Sequence, residues 1–287
     1  MSNLTVETYS LDDILIGGSY VFLSAFFILL YLPCLHVMYT DEDLRNHSCL
    51  RIMFHMGISD IIHLLGESIC GAMSLTGLAY SVPRWLNNLI INLTCFLGWN
   101  SYIILLNVLA FNRMINFNLA TGPIQERLFG TRQTTIWIVV CWIWAFGWLL
   151  FNLSPWGGMI YHATLWLWHF DYQAPLIYYN NWAVFINCVL HQACIWVWCV
   201  LAVYGMRTQL RSASSISELS EGLRRRERSL VVQSLIICMT LFLMDQWWHN
   251  IMSLVCPPSF LYCGAIGTYL LILNNAVNPI IYLTLNQ

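Results

Sequence analysis

The sequence predicts an all-α membrane protein, a bundle of seven transmembrane helices with the N-terminus outside the cell and the C-terminus in the cytoplasm. Composition is the first reason, because 59% of the 287 residues are hydrophobic and only 9% are charged, against about 25% charged residues in soluble domains. The second reason is that seven apolar runs reach the ~20 residues that a helix needs to cross a bilayer. The placement of the arginines is the third reason, and it sets the orientation.

Each apolar run predicts one span, with boundaries good to several residues. The first run follows an acidic segment without a basic region, and no small-residue cleavage site comes after it. That run therefore predicts a retained span and not a signal peptide. The seven spans form a single domain over residues 1–287 and are expected at about Ile14–Met38, Leu50–Leu75, Leu89–Asn112, Thr134–Asn152, Asn181–Tyr204, Leu230–Val255 and Leu261–Leu285.

The basic residues predict the orientation. The chain has no lysine, and its 12 basic side chains are all arginines. With the N-terminus outside, Arg84 lies in an outer loop and the other eleven (12 − 1) lie on the inner side, as the positive-inside rule requires. Asn3, in the sequon Asn3-Leu4-Thr5, then becomes a glycosylation site on the outer side. The formal net charge of −2 indicates no nucleic-acid partner.

The longest outer loop, at about Leu153–Asn180, is rich in tryptophan and tyrosine. Its rings alternate at period two within Thr164–Phe170, which indicates a short strand or hairpin. Two interpretations stay open: an aromatic belt at the membrane surface, or a lid over a pocket. Farther along, Cys256 and Cys263 flank a Pro-Pro turn and could pair if that turn faces an oxidising compartment.

The longest inner loop, at about Gly205–Ser229, carries a cluster of arginines just before the sixth span. Arg224, Arg225 and Arg226 could bind the phosphates of membrane lipids. They could equally contact an intracellular partner, and the sequence leaves both interpretations open.

Several polar side chains lie within the spans, where charges are costly and usually face the bundle interior. Asp60 lies midway along the second span, and His63 and Glu67 follow at spacings of three and seven. These spacings put all three on one helical stripe. A buried aspartate can be protonated, paired with asparagine amides, or bound to a small cation.

A second set of polar and aromatic residues is concentrated in the outer halves of the spans. Any one of them alone more often forms a hydrogen bond between helices than a contact with a ligand. Their concentration predicts a pocket for a small, mostly apolar ligand with one or two polar groups. The expected lining is Glu67, Asn100, His191, Asp245, Trp247, Trp248 and His249.

The seventh span contains Asn274-Asn275-Ala276-Val277-Asn278-Pro279-Ile280-Ile281-Tyr282. Proline in a helix removes one hydrogen bond and displaces the carbonyl four residues back. In lipid the freed carbonyl needs a new partner, and the three asparagines before Pro279 are candidates. By itself the segment fits a moving joint or a passive kink. Asp60 at a comparable depth and Arg113 at the cytoplasmic exit favour the joint.

Asp60 in the second span, Phe111-Asn112-Arg113 at the end of the third, and Asn278-Pro279-x-x-Tyr282 in the seventh together resemble the rhodopsin-like G-protein-coupled receptors over nearly the whole chain. The Asn-Arg pair and the run Ile52–Asp60 look most similar to nematode serpentine chemoreceptors, class T first and the related class X next.

The resemblance implies a chemosensory receptor, not an enzyme, in the plasma membrane and in sensory cilia. It implies a small-molecule ligand, a heterotrimeric G protein as partner, and outward movement of the sixth helix. Arg113 and the cluster Arg224 to Arg226 would face the G protein. The resemblance makes Asn274 a partner of Asp60 at a sodium site and Asn278, Pro279 and Tyr282 parts of a switch. No cofactor is expected beyond that sodium ion.

The chain also departs from the family pattern. Asn112 replaces the acidic partner of Arg113, and Met114 replaces the tyrosine, which leaves the usual resting-state lock in question. No proline marks the fifth or sixth span, and Asp245-Gln246-Trp247-Trp248 replaces the usual Trp-x-Pro motif. The usual disulfide to the third span is absent, and without a lysine no retinal can be linked.

Two other functional classes have weaker support in the sequence. A channel or transporter could use the intramembrane acids and histidines as a proton or cation path, although no inverted repeat or pair of broken helices supports it. A metal-dependent membrane hydrolase is disfavoured, because no His-Glu-x-x-His motif is present, and no metal site is expected.

Overall fold

The structure is a computed structural model that describes residues 10–118, 123–154, 156–212, 232–233, 235–256 and 260–285. The helices are α1 (Leu11–Thr40), α2 (Glu42–Asn46), α3 (Ser48–Leu75), α4 (Arg84–Ile91), α5 (Leu97–Asn118), α6 (Pro123–Phe129), α7 (Thr131–Leu153), α8 (Ile177–Ser212), α9 (Leu235–Gln246), α10 (Met252–Val255) and α11 (Cys263–Leu285). Short 3₁₀ turns cover Leu78–Tyr80 and Ala163–Leu165, and π-helical turns cover Asn92–Phe96 and Trp247–Ile251.

The helices confirm the predicted class. Six stretches are long and apolar enough to cross a membrane: Leu11–Thr40, Ser48–Leu75, Arg84–Asn118, Thr131–Leu153, Ile177–Thr208 and Cys263–Leu283. The sixth predicted span corresponds to α9, the following π-helical turn and α10. Its predicted start at Leu230 lies outside the described residues. The third span begins at Arg84 rather than at Leu89, because its first turn is held against the outer loop by Asn87.

The third span is the centre of the bundle. In its most apolar 18-residue stretch, 72% of the residues are buried. The corresponding shares in the first, fourth and fifth spans are 28%, 28% and 22%. The first and second spans make the closest approach. A Cβ atom on Gly17 would lie 2.5 Å from the carbonyl oxygen of Gly71, so the two backbones touch, as small residues permit in membranes.

The outer loop folds into a hairpin of β1 (Met159–His162) and β2 (Leu167–Phe170), paired antiparallel with Met159 opposite Phe170. This confirms the predicted strand. The turn passes through Trp166, whose φ of 49° is left-handed, an uncommon conformation for a bulky residue. We call the end of the bundle that carries this structure the hairpin end, and the other the Arg113 end.

A disulfide joins Cys256 to Cys263, which confirms the pairing that the sequence left open. Cys256 follows the last turn of the sixth span, and Cys263 is the first residue of the seventh. The bond therefore ties these two spans together at the hairpin end.

Candidate functional site

The hairpin covers its end of the bundle as a lid. Trp166 donates from its indole Nε1 to Asp13 Oδ1 at 2.8 Å, and Trp168 donates to Glu67 Oε1 at 2.8 Å. Trp166 and Tyr161 are only 5% and 3% exposed. Trp166 and Trp168 thus bond to acids of the bundle, which fits the lid interpretation. The rings of Trp156, Tyr172, Tyr178 and Tyr179 in the same loop are 53–69% exposed, which fits an aromatic belt.

Polar contacts from the start of the third span hold the lid in place. Asn87 bonds to both backbone groups of Tyr161, at 2.8 Å and 3.0 Å. Arg84 pairs with Asp171 at 2.5 Å just after the hairpin. Arg84, the one arginine predicted to lie outside, therefore has a structural role at the base of the lid.

Two histidines on the hairpin are held in their neutral forms. Burial lowers the pKa of His169 to about 4, and the neighbouring His162 adds to that shift. Burial also lowers the pKa of His162. His169 Nδ1 lies 3.0 Å from the Tyr172 hydroxyl. Protonation of either ring therefore opposes the closed packing of the hairpin.

A line of buried side chains leads from the lid across the bundle. His63 contacts the ring of Trp168 at a centroid distance of 5.9 Å and that of Trp99 at 6.4 Å. Trp99 lies beside Cys188 of the fifth span, and Cys188 lies near Asp245 on the sixth span. Asp245 is 7% exposed. The second, third, fifth and sixth spans therefore meet along this line.

Trp247 and Trp248 lie in the π-helical turn of the sixth span and face the seventh span. A Cβ atom on Gly267 would lie 2.9 Å from a ring carbon of Trp248 and 3.0 Å from Trp247 Nε1, so this contact needs glycine. Trp247 Nε1 is buried without a hydrogen-bond partner among the described residues. The side chain of His249 lies outside what the structure describes.

Two predicted pocket residues are engaged elsewhere. His191 Nδ1 lies 3.1 Å from Asn107 Nδ2, and its ring contacts Trp144 of the fourth span at 6.4 Å. Asn100 donates to the carbonyl of Phe96 on its own helix at 2.9 Å. Glu67 is the predicted pocket residue that bonds directly to the described hairpin, through Trp168, whereas His191 and Asn100 bond to residues of the spans.

Asp60 is fully buried and bonded to two other spans. Asn278 Nδ2 of the seventh span donates to Asp60 Oδ2 at 2.7 Å, and the Tyr31 hydroxyl of the first span contacts the same oxygen. Asp60 Oδ1, Asn278 Oδ1 and both polar atoms of Asn274 have no hydrogen-bond partner among the described residues. Sequence reasoning missed Tyr31, because it stands alone in the apolar run Ile28–Leu32.

Tyr31 also corrects the prediction for the proline joint. Pro279 frees the carbonyl of Asn275, four residues back, and Tyr31 Oη lies 2.9 Å from that oxygen. A hydroxyl from the first span, rather than an asparagine of the seventh, is the partner of this carbonyl. Toward the Arg113 end, the Tyr282 hydroxyl lies 3.5 Å from the carbonyl of Met53.

Arg113 is 1% exposed, and its guanidinium contacts Cys49 Sγ. The neighbouring Asn112 donates to Ser48 Oγ at 3.2 Å. These contacts hold the end of the third span against the first turn of the second span. Arg224, Arg225, Arg226 and Asn3 lie outside the described residues.

The fifth and sixth spans pack through a pair of cysteines. Cys199 Sγ and Cys238 Sγ are 3.3 Å apart, and both residues are buried. No sequence pattern pointed to this pair, because nothing in the spacing of the two runs shows which faces meet.

Comparisons with known proteins identify the family of the chain and a solved structure with a similar fold. The family model described as serpentine type 7TM GPCR chemoreceptor Srt matches residues 2–287. The crystal structure of squid rhodopsin is similar with a TM-score of 0.70 at 14% sequence identity, covering 98% of this chain and 83% of that chain. No curated protein matches the sequence significantly. At that identity the rhodopsin match shows the fold alone.

Proposed function

Because the chain belongs to the serpentine Srt family of seven-transmembrane G-protein-coupled chemoreceptors, we propose that it senses a small ligand and activates a heterotrimeric G protein. The observation that carries this proposal is the buried bond between Asp60 and Asn278. It joins the second span to the proline-containing seventh span, between the lid and Arg113. A junction in that position can transmit a change at one end of the bundle to the other.

The ligand would bind beneath the hairpin. Trp99, Trp247 and Trp248 offer apolar surface there, and Asp245 offers a carboxyl group. Such a site suits a small, mostly apolar molecule with one or two polar groups. Entry requires the hairpin or the gap between two spans to open.

Signalling would expose Arg113. In the structure its guanidinium is covered and contacts the second span, so a G protein can reach it only after the bundle opens at that end. Outward movement of the sixth helix away from the fifth is the expected opening. The ligand must bind the open state more tightly than the closed state to drive it.

A sodium ion fits the surroundings of Asp60. Three buried side-chain oxygens there, one each on Asp60, Asn274 and Asn278, lack hydrogen-bond partners among the described residues, and hard cations prefer oxygen ligands. The ion would add positive charge beside the Asp60 carboxylate and hold the second and seventh spans together. Asp60 would be its charged ligand, with the two asparagine carbonyls as neutral ones.

The receptor is proposed to lie in the plasma membrane, in sensory cilia, with the hairpin end outside. Asn3 would then be available for glycosylation. The arginines Arg224, Arg225 and Arg226 would lie on the inner side, next to lipid phosphates and the G protein. The excess of inner arginines supports this orientation.

The test is to express the full chain with a promiscuous G protein and to measure basal signalling and responses to a panel of volatile and water-soluble odorants. Asp60→Asn and Arg113→Ala should each lower basal signalling and the odorant response at least about tenfold, at unchanged surface expression. A tenfold loss corresponds to a shift of about 1.4 kcal/mol in the equilibrium between the resting and the signalling state. Arg84→Gln is the matched control, because it also removes one arginine charge but at the lid, away from the surface that would contact the G protein. This variant should keep basal signalling.

Normal signalling by both variants would contradict the receptor mechanism. An odorant-evoked current that persists in cells without any G protein would instead support the channel alternative.

A further inference from the structure

Three side chains beneath the hairpin, His63, Glu67 and Cys95, come together in a compact buried group. One ligand atom of each lies within 4.8 Å of the other two, and the residues are 1%, 0% and 0% exposed. His63 and Glu67 are four residues apart on one face of the second span, and Cys95 faces them from the third. From this geometry we propose that the group binds a zinc ion.

Two of the ligand atoms lack partners. Glu67 Oε1 accepts a bond from Trp168 at 2.8 Å, but Glu67 Oε2 has no hydrogen-bond partner among the described residues. His63 Nε2 lies 3.3 Å from Glu67 Oε1 and has no partner of hydrogen-bond geometry in the described part of the chain. Buried carboxylate oxygens are stable only when paired. A cation shared by the three side chains supplies the missing partner.

The backbone around Cys95 is shaped to bring its thiol close. Cys95 lies in the π-helical turn Asn92–Phe96, and such turns recur at functional sites because they redirect side chains. Gly66 faces this turn, and a Cβ atom there would lie 2.5 Å from Cys95 Sγ. The close approach of the thiol to Glu67 and His63 therefore depends on glycine at position 66.

The donor set selects the metal. Imidazole nitrogen, carboxylate oxygen and thiolate sulfur all bind zinc, at about 2.0–2.3 Å, whereas calcium, magnesium and other hard cations take oxygen ligands. One thiolate and one carboxylate also balance the two charges of Zn²⁺, which favours binding in an apolar interior. Binding replaces the proton of the Cys95 thiol, which leaves to water, and involves no oxidation or reduction.

The three side chains leave the fourth position of the zinc ion to a water molecule. Water in that position completes the four-coordinate geometry that zinc prefers.

The site would also fasten the lid. Trp168 of the hairpin orients the Glu67 carboxylate through its indole N–H, the relation in which a neighbouring group positions a metal ligand. Bound zinc would then link the hairpin to the second and third spans. Removing zinc should loosen the hairpin without unfolding the bundle.

The experiment uses the full chain, purified in detergent and freed of metal with a chelator, and titrates it with Co²⁺ as a spectroscopic substitute for zinc. We expect one equivalent of Co²⁺ to produce the near-ultraviolet absorption of a thiolate–cobalt bond, which added Zn²⁺ abolishes by displacement. Cys95→Ser should lose this absorption, and Glu67→Gln should weaken binding at least about tenfold. Cys141→Ser, which removes a buried thiol in the fourth span, should change neither.

A wild-type protein without a saturable cobalt–thiolate absorption overturns the proposal, as does an absorption that survives in Cys95→Ser. The first of these outcomes does not depend on the folding of the variant. The titration needs no signalling, so it stands apart from the receptor assignment.

Discussion

Tyr31 shows how much one side chain can determine in this bundle. Its hydroxyl contacts Asp60 Oδ2 and also lies 2.9 Å from the carbonyl of Asn275, which Pro279 frees. A hydroxyl has one proton, so it can donate to only one of these oxygens at a time. The state of the Asp60 carboxyl group and the bonding of the proline joint are therefore coupled through one residue.

We expect Tyr31→Phe to destabilise the protein by about 1–3 kcal/mol, because it leaves buried acceptors short of a donor. The ring is kept, so packing changes little. Thermal unfolding in detergent measures the loss, which should lower the midpoint by at least about 2 °C. Tyr39→Phe is the control, since Tyr39 lies on the same helix but is 63% exposed. Equal midpoints for Tyr31→Phe and the wild type would rule out this role.

At the scale of elements, the hairpin combines tight anchoring with sensitivity to acid. Its residues bond to the first, second and third spans. It also holds His162 and His169 half-buried, and burial lowers the pKa of His169 from 6.5 to about 4. Between these two pH values an opened hairpin binds more protons than a closed one, so closure weakens as the pH falls and is unaffected above about 6.5.

We expect hydrogen–deuterium exchange in residues 159–170, corrected for the intrinsic pH dependence, to accelerate when the pH falls from 7 to 5. His169→Gln removes the titrating ring and should flatten the response, with peptides of the fourth span as an internal reference. A response of the same size in His169→Gln would mean that another group titrates.

The same elements show what could be predicted from the sequence. Hydropathy located the spans, since length and apolarity are local properties, and ring alternation located β2. The strand β1, at Met159–His162, shows no such alternation and is fixed by its partner strand. The π-helical turn at Trp247–Ile251 was also missed. The contact of its tryptophans with Gly267 is non-local packing that no spacing within the sixth span reveals.

For the site, motif residues were predictable and their partners were not. Asp60 and Asn278 were identified from the sequence and are bonded in the structure. Their third partner, Tyr31, comes from another span. Cys95 was likewise one cysteine among 11 until the fold placed it beside His63 and Glu67. Interhelical pairs depend on helix rotation, which a nearly uniform apolar surface leaves undetermined in the sequence.

At the scale of the whole molecule, the covered Arg113 and the packed fifth and sixth spans describe a closed bundle. Cys199 and Cys238 provide a built-in test of whether it must open. Their sulfurs are 3.3 Å apart, so a small shift reaches the bonding distance of about 2.05 Å. Two thiols joined by an oxidant give up two protons and two electrons, and the new disulfide would hold these spans together.

We expect treatment of membranes with copper phenanthroline to join Cys199 to Cys238 and to lower G-protein activation at least about tenfold. That loss corresponds to a shift of about 1.4 kcal/mol toward the closed bundle. A linked sixth helix cannot move away to uncover Arg113. Mass spectrometry measures the extent of linkage, and dithiothreitol should restore signalling. Cys199→Ser should signal normally and resist the oxidant, whereas Cys194→Ser, which removes an exposed thiol of the same helix, should remain sensitive. Full signalling by a completely linked receptor would show that activation uses a different movement, one that leaves the fifth and sixth spans in contact.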